Sequence, residues 1–113
     1  MSLPNPDRAF IDMVKLRDYC LSPDHRRGQH KARLFAATLG LTRQHADLLR
    51  ESLLTAACTQ PAIATRRDSF GQRYQLDFNL TGPNGQQSLI RSGWIVRQGE
   101  DHPRFVTCYV LES

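Results

Sequence analysis

Arg73-Tyr74-Gln75-Leu76-Asp77-Phe78-Asn79-Leu80, followed by Thr81-Gly82-Pro83-Asn84-Gly85, is the stretch on which the fold turns. Tyr74, Leu76, Phe78 and Leu80 alternate with Arg73, Gln75, Asp77 and Asn79. A period of two belongs to a β-strand with one dry face and one wet face. Asn84-Gly85 offers two residues that tolerate positive φ, so the segment reads as a hairpin connection. Downstream, a second strand is expected from about Gln87 to Arg97, with Ile90, Trp94 and Val96 on one face. Gln98 to Pro103 reads as a polar loop. A last strand is expected from about Arg104 to Leu111, where alternation puts Phe105, Thr107 and Tyr109 on a shared face. Upstream, Ile63 to Arg67 reads as a short edge strand.

Before Pro61 the period changes to 3.6. Asp12 is a good N-cap for a helix to about Cys20, with Met13 or Val14, Leu16, and Tyr19 or Cys20 inward. Ser22-Pro23-Asp24 breaks it. A second helix is expected from Gly28 or Gln29 to Leu39, with Ala32, Phe35, Ala36 and Leu39 on its core face and Gly40 as the C′ residue. Thr42 caps a third, roughly Arg43 to Cys58, with Ala46, Leu49, Leu53, Leu54 and Ala57 inward. Leu3 to Arg8 reads as an irregular lead-in. The expected class is α+β: three N-terminal helices followed by an antiparallel sheet of about four strands in a meander, all within one domain spanning 1–113.

The chain has 113 residues, 40% of them apolar, which suffices for one core and excludes a disordered tail. No stretch approaches the roughly 20 apolar residues of a membrane span, and Met1 to Asp12 has no apolar signal core. The expected place is the cytoplasm, with delivery into another cell by a specialised route left open. Net charge is +4 and the pI about 9.3, favouring anionic partners. Cys20, Cys58 and Cys108 are widely spaced, with no CxxC pair, and all three read as small core residues.

Several chemistries find no support. There is no phosphate-binding Walker loop, no HExxH pair, no Gly-x-Ser-x-Gly elbow and no Glu-x-Glu following Arg91-Ser92. Carboxylates are too sparse for a glycosidase pair or a magnesium cluster. No metal or other cofactor is expected. Among the histidines, His45 reads as surface and His102 as a loop residue.

The segment His25-Arg26-Arg27-Gly28-Gln29-His30-Lys31-Ala32-Arg33 stands out. It precedes a helix, where free N–H groups can meet an anion, yet it places cations against the helix dipole. Arg66, Arg67 and Arg73 form a second basic group. Metal-free RNA cleavage needs a base for the 2′-hydroxyl, an acid for the leaving 5′-oxygen and a cation for the phosphorane. His30 is the candidate base, with His25 behind it, and Lys31 the electrophile. Arg91 is a candidate phosphate clamp, Thr107 a donor to the phosphate and Tyr109 a substrate-orienting or stacking residue. His25, Arg26, Arg27 and Arg33 are candidate substrate-binding residues. The expected partners are RNA and a small acidic immunity or antitoxin protein. A binding module without turnover, or an immunity protein or antitoxin itself, is the alternative.

Leu16-Arg17-Asp18-Tyr19-Cys20-Leu21-Ser22-Pro23-Asp24-His25 and Gly28-Gln29-His30-Lys31-Ala32-Arg33-Leu34-Phe35 resemble blocks of one small bacterial family. So do Leu80-Thr81-Gly82-Pro83-Asn84-Gly85, Arg91-Ser92-Gly93-Trp94-Ile95-Val96 and Pro103-Arg104-Phe105-Val106-Thr107-Cys108-Tyr109. That family is a domain of unknown function, found alone or at the C-terminus of large secreted or phage-associated proteins. Gly93 stands where a side chain such as Ala is expected, and Arg26-Arg27 replaces a His-Pro-like stretch. The layout is also similar to the barnase–EndoU–colicin–RelE class of toxin nucleases. That likeness implies a metal-independent RNase with its active site across the sheet, His30 and Lys31 coming from a helix and Arg91, Thr107 and Tyr109 from strands.

Overall fold

The computed structural model describes residues 2–26 and 28–111; Arg27 lies outside them. Helical elements come first and four strands follow. Asp12 caps helix α1 (Met13–Lys15) by accepting a hydrogen bond from the Val14 N–H at 3.0 Å. The chain then widens into a π-helical turn over Leu16–Cys20, closed by Leu21 N–H to Leu16 C=O at 3.1 Å. Leu16 and Cys20 are buried while Val14 is exposed, so of the inward alternatives the Met13–Leu16–Cys20 set faces the core. The expected single helix is therefore a short helix plus a π-turn.

Helix α2 (Gln29–Leu39) buries Ala32, Phe35 and Leu39. Ala36 was expected on that face but is exposed. Gly40 ends the helix at φ 67°, in left-handed geometry that glycine adopts without a Cβ penalty. Thr42 and His45 form a reciprocal capping box around a 3₁₀ turn (Arg43–His45), which leads into α3 (Ala46–Thr59). His45 is thus a cap, not a bystander. Ala46, Leu49, Leu53, Ala56 and Ala57 are buried, and Leu54 is half-buried. The lead-in is not wholly irregular: it carries a 3₁₀ turn over Pro6–Arg8, and Leu3 is buried.

The strands β1 (Ile63–Asp68), β2 (Gly71–Thr81), β3 (Gln87–Arg97) and β4 (Arg104–Val110) form one antiparallel meander in the order β1-β2-β3-β4. Leu76, Phe78, Leu80, Ile90, Trp94, Phe105, Cys108 and Val110 pack with the helices in a single core. The β2–β3 connection does more than turn the chain. The Asn84 N–H and side-chain amide donate to the carbonyls of Leu39 and Thr38, closing the end of α2. Only Gly85 there takes positive φ, at 85°; Asn84 does not, and its side chain accepts from the Gln86 N–H.

The last strand departs from simple alternation. Trp94 pairs with Phe105 but Gly93 pairs with Thr107, so Val106 is an extra residue, a β-bulge. Phe105 therefore turns into the core against Trp94, ring centroids 5.7 Å apart, while Thr107 and Tyr109 turn to the open face. The expected shared face for all three is corrected by this one-residue insertion. Cys58 also differs from expectation: it is exposed, whereas Cys20 and Cys108 are buried.

Candidate functional site

The register builds two polar rows on the open face of the sheet. Asp77, Arg91 and Tyr109 lie across β2, β3 and β4; Gln75, Gly93 and Thr107 form the next row. Arg91 grips the Asp77 carboxylate with two hydrogen bonds, each 3.0 Å. This pair and the Tyr109 hydroxyl hold the guanidinium above its ordinary range, the Asp77 bond contributing most. With its amide oriented oxygen-inward, Gln75 also accepts from Arg91 at 3.2 Å.

Lys31 reaches these rows from the first turn of α2. Its ammonium donates to Thr107 Oγ1 at 3.0 Å and lies 5.3 Å from the Tyr109 ring centroid and 5.5 Å from that of Tyr19. The side chain is half-buried, and its partners are a hydroxyl and two aromatic faces. No carboxylate stands among its described contacts, in contrast to Arg91. Beneath it lie two buried thiols. A hydrogen bond with Cys108 lowers the Cys20 thiol to about 7 against the opposing effect of burial, helped by Lys31 and Thr107. Burial pushes the Cys108 thiol well up.

Tyr19 owes its place to the π-turn, a local irregularity often found at functional sites. The loop after it folds back closely: a Cβ on Gly28 would sit 2.0 Å from the Tyr19 carbonyl oxygen, so only glycine fits there. His25 packs edge-on to Tyr19, centroids 4.7 Å apart, and its Nδ1 accepts from the Gly28 N–H at 3.1 Å. The Gln29 N–H bonds the His25 carbonyl at 2.8 Å. Two N–H groups expected to be free for an anion at this helix start are thus used by the His25 turn. The Gly28 bond thus uses Nδ1 as an acceptor.

The sequence-derived candidates separate accordingly. Lys31, Arg91, Thr107 and Tyr109 come together. His25 stands beside them through Tyr19. His30 is exposed and makes no described side-chain contact with the cluster. Arg26 is exposed, and Arg33 is exposed and bonded to the Gln29 amide at 3.2 Å; neither touches the cluster. Arg27 lies outside the described residues. Tyr19, Asp77 and Gln75 were not anticipated. Asp77 opposes Arg91 directly, but only the pairing register reveals that. Among the described residues, no group of three or more His, Cys, Asp or Glu is gathered to hold a metal ion, and no helix is long and apolar enough to cross a membrane.

A groove of about 300 Å³ runs over the open face, bounded by Arg73, Gln75, Arg91, Thr107 and Tyr109, with Gly93 in its floor. Its lining is more apolar than polar, but Arg73, Gln75, Arg91 and Thr107 put polar groups on its walls, and with the Lys31 ammonium beyond Thr107 these suit an anion with hydrogen-bonding groups attached.

The fold is similar to that of a chain in the contact-dependent growth inhibition toxin–immunity protein complex from Klebsiella pneumoniae 342. The TM-score is 0.71 at 17% identity, covering 89% of this chain and 98% of that one. At that identity the likeness concerns the fold. No curated protein sequence matches the chain. Residues 2–112 match the family model described as a domain of unknown function, DUF6883, and the chain belongs to that family.

Proposed function

We propose that this chain is one component of a bacterial toxin system and that its cleft takes a phosphate of RNA between Lys31 and Arg91. The observation that carries the reading is the Lys31 ammonium, half-buried among a hydroxyl and two rings without a carboxylate. A cation drawn out of water favours an anion beside it. Arg91 supplies a second cation close by, already oriented by Asp77. The +4 charge favours a polyanion over an isolated phosphate. The toxin-system assignment draws on the fold likeness to a chain of a toxin–immunity complex.

RNA cleavage is the stronger form of this reading. The 2′-oxygen attacks the adjacent phosphorus, the bond to the 5′-oxygen breaks, and a proton passes from the first oxygen to a base and from an acid to the second. Lys31 and Arg91 would stabilise the phosphorane charge, with Thr107 donating a hydrogen bond. Tyr109 is the proton carrier inside the cluster. His30, exposed one residue before Lys31, is the imidazole open to a bound strand, because His25 is tied at Nδ1.

The test uses total RNA and tRNA in EDTA with wild type, Lys31→Ala, Tyr109→Phe and His30→Ala. Lys31→Ala is expected to weaken RNA binding and reduce the salt slope by about one. Cleavage by wild type and its loss in Tyr109→Phe or His30→Ala supports the nuclease; binding without turnover leaves a binding module. Wild type that neither binds nor cleaves any RNA overturns the reading.

A second reading, an immunity protein or antitoxin that grips a cognate toxin, is favoured by the same likeness to one chain of a two-protein complex. Co-purification from the native host would reveal that partner. If the partner cleaves RNA and this chain stops it, the second reading replaces the first; if the partner stops cleavage by this chain, the first stands.

A further inference from the structure

We infer that the groove floored by Gly93 is a nucleobase subsite, which holds one base of an RNA strand flat on the β3 backbone while Lys31 takes a phosphate of the same strand. This rests on the RNA reading above. Gly93 is mid-strand, paired on both sides, between Gln75 and Thr107. Glycine weakens a strand there, since it leaves nothing to pack and has more chain freedom to lose. Close packing does not demand it. A Cβ at this position would meet only Thr107 Cγ2 at 3.6 Å and the Thr107 carbonyl oxygen at 4.0 Å, ordinary contacts. A strand glycine marks a bulge or a place where something else approaches the backbone; here the Val106 bulge lies beside Gly93, and the face above the glycine is open as the floor of the groove.

The surroundings suit one planar, hydrogen-bonding ring. The missing side chain leaves open the floor of the groove, whose whole volume of about 300 Å³ is at the small end of ligand sites. Gln75 and Thr107 stand at its two ends across the sheet and offer an amide and a hydroxyl to a base edge. The Arg91 guanidinium and the Tyr109 ring flank it, flat groups that stack on bases. Thr107 joins this recess to the phosphate position, because its hydroxyl holds the Lys31 ammonium at 3.0 Å. A base in the recess thus brings a phosphate of its own strand to the cation.

The experiment compares a 2′-deoxy hexanucleotide with its fully abasic counterpart, which keeps the phosphates and cannot be cut at a 2′-hydroxyl. All four homopolymers are used, on wild type and Gly93→Val, with thermal unfolding to show that the variant folds. Wild type is expected to bind at least one base-bearing hexamer about tenfold tighter than the abasic one. Gly93→Val is expected to lose that difference and retain the abasic affinity. Equal affinity for both in wild type, a difference unchanged in Gly93→Val, or no binding of any oligonucleotide overturns the subsite. An RNA cleavage assay alongside separates the two claims. Cleavage by a wild type that shows no base preference discards the subsite alone. A base preference lost in Gly93→Val, in a protein that cuts no RNA, supports the subsite and discards catalysis.

Discussion

Gly93 and Trp94 are consecutive on β3, yet they face opposite sides of the sheet, and the two sides are built to different ends. On the helix side, Trp94 is 1% exposed and stacks edge-on to Phe105. Ser92 is 0% exposed, and its hydroxyl is fully used, donating to the Leu76 carbonyl at 2.7 Å and accepting from Trp94 Nε1 at 2.9 Å. On the other side, the row containing Gly93 leaves a recess, and its neighbours are Arg91, Asp77, Tyr109 and Gln75. The difference teaches that the middle of one strand serves the core through Ile90, Ser92 and Trp94 and leaves Arg91 and Gly93 on the open face, until Ile95 is buried again at its end.

The largest effect expected from this contrast is on stability. Trp94→Ala should cost about 3–5 kcal/mol, from lost burial and the cavity left behind. Gly93→Val, one residue away, should change stability by less than about 1 kcal/mol. Urea unfolding of the two variants breaks the comparison if their losses are similar. A finer cut through the same core is Ser92→Ala, which removes the partner of the Trp94 N–H and one donor to the Leu76 carbonyl. A loss of about 1–3 kcal/mol is expected, because buried polar groups without partners retain their desolvation cost. No loss would mean that the two groups find other partners.

The smallest effect lies at the β1–β2 turn. Arg73, then the Phe70 N–H, hold the Asp68 carboxyl down from its usual 3.8 to about 2. A folded-state value below the unfolded one contributes stability that is present above about pH 4 and lost as the pH falls through 2. Asp68→Asn should therefore be slightly less stable than wild type at pH 7, with the difference shrinking as the pH falls toward and below 2. Thermal midpoints across that window check this; a difference of constant size from pH 7 down to pH 2 would trace to packing of the turn.

Much of the fold was legible. The alternation from Arg73 to Leu80 assigned β2 its faces, and Asp12, Gly40 and Thr42 marked helix ends through local chemistry. What escaped was set by contacts distant in sequence. The Val106 bulge moves Phe105 off the face shared by Thr107 and Tyr109, and nothing local announces it. The candidate site was legible as residue types and not as an arrangement. Lys31 and His30 are adjacent in a helix, so about 100° of rotation separates their side chains. One meets Thr107 and the other faces outward. His25 was named, but its role as acceptor from Gly28 was not.

The sequence by itself determined the order of helices and strands and the apolar face of the best strand, because these follow from periods of 3.6 and two and from capping and turn residues acting within a few positions. Only the tertiary structure decided the register that sets Arg91 opposite Asp77, the bulge that turns Thr107 outward, and the meeting of Lys31 with Thr107 across 76 positions of chain. Such pairings depend on how whole elements dock, and docking is fixed by the summed burial of the core, to which no short stretch of sequence gives access.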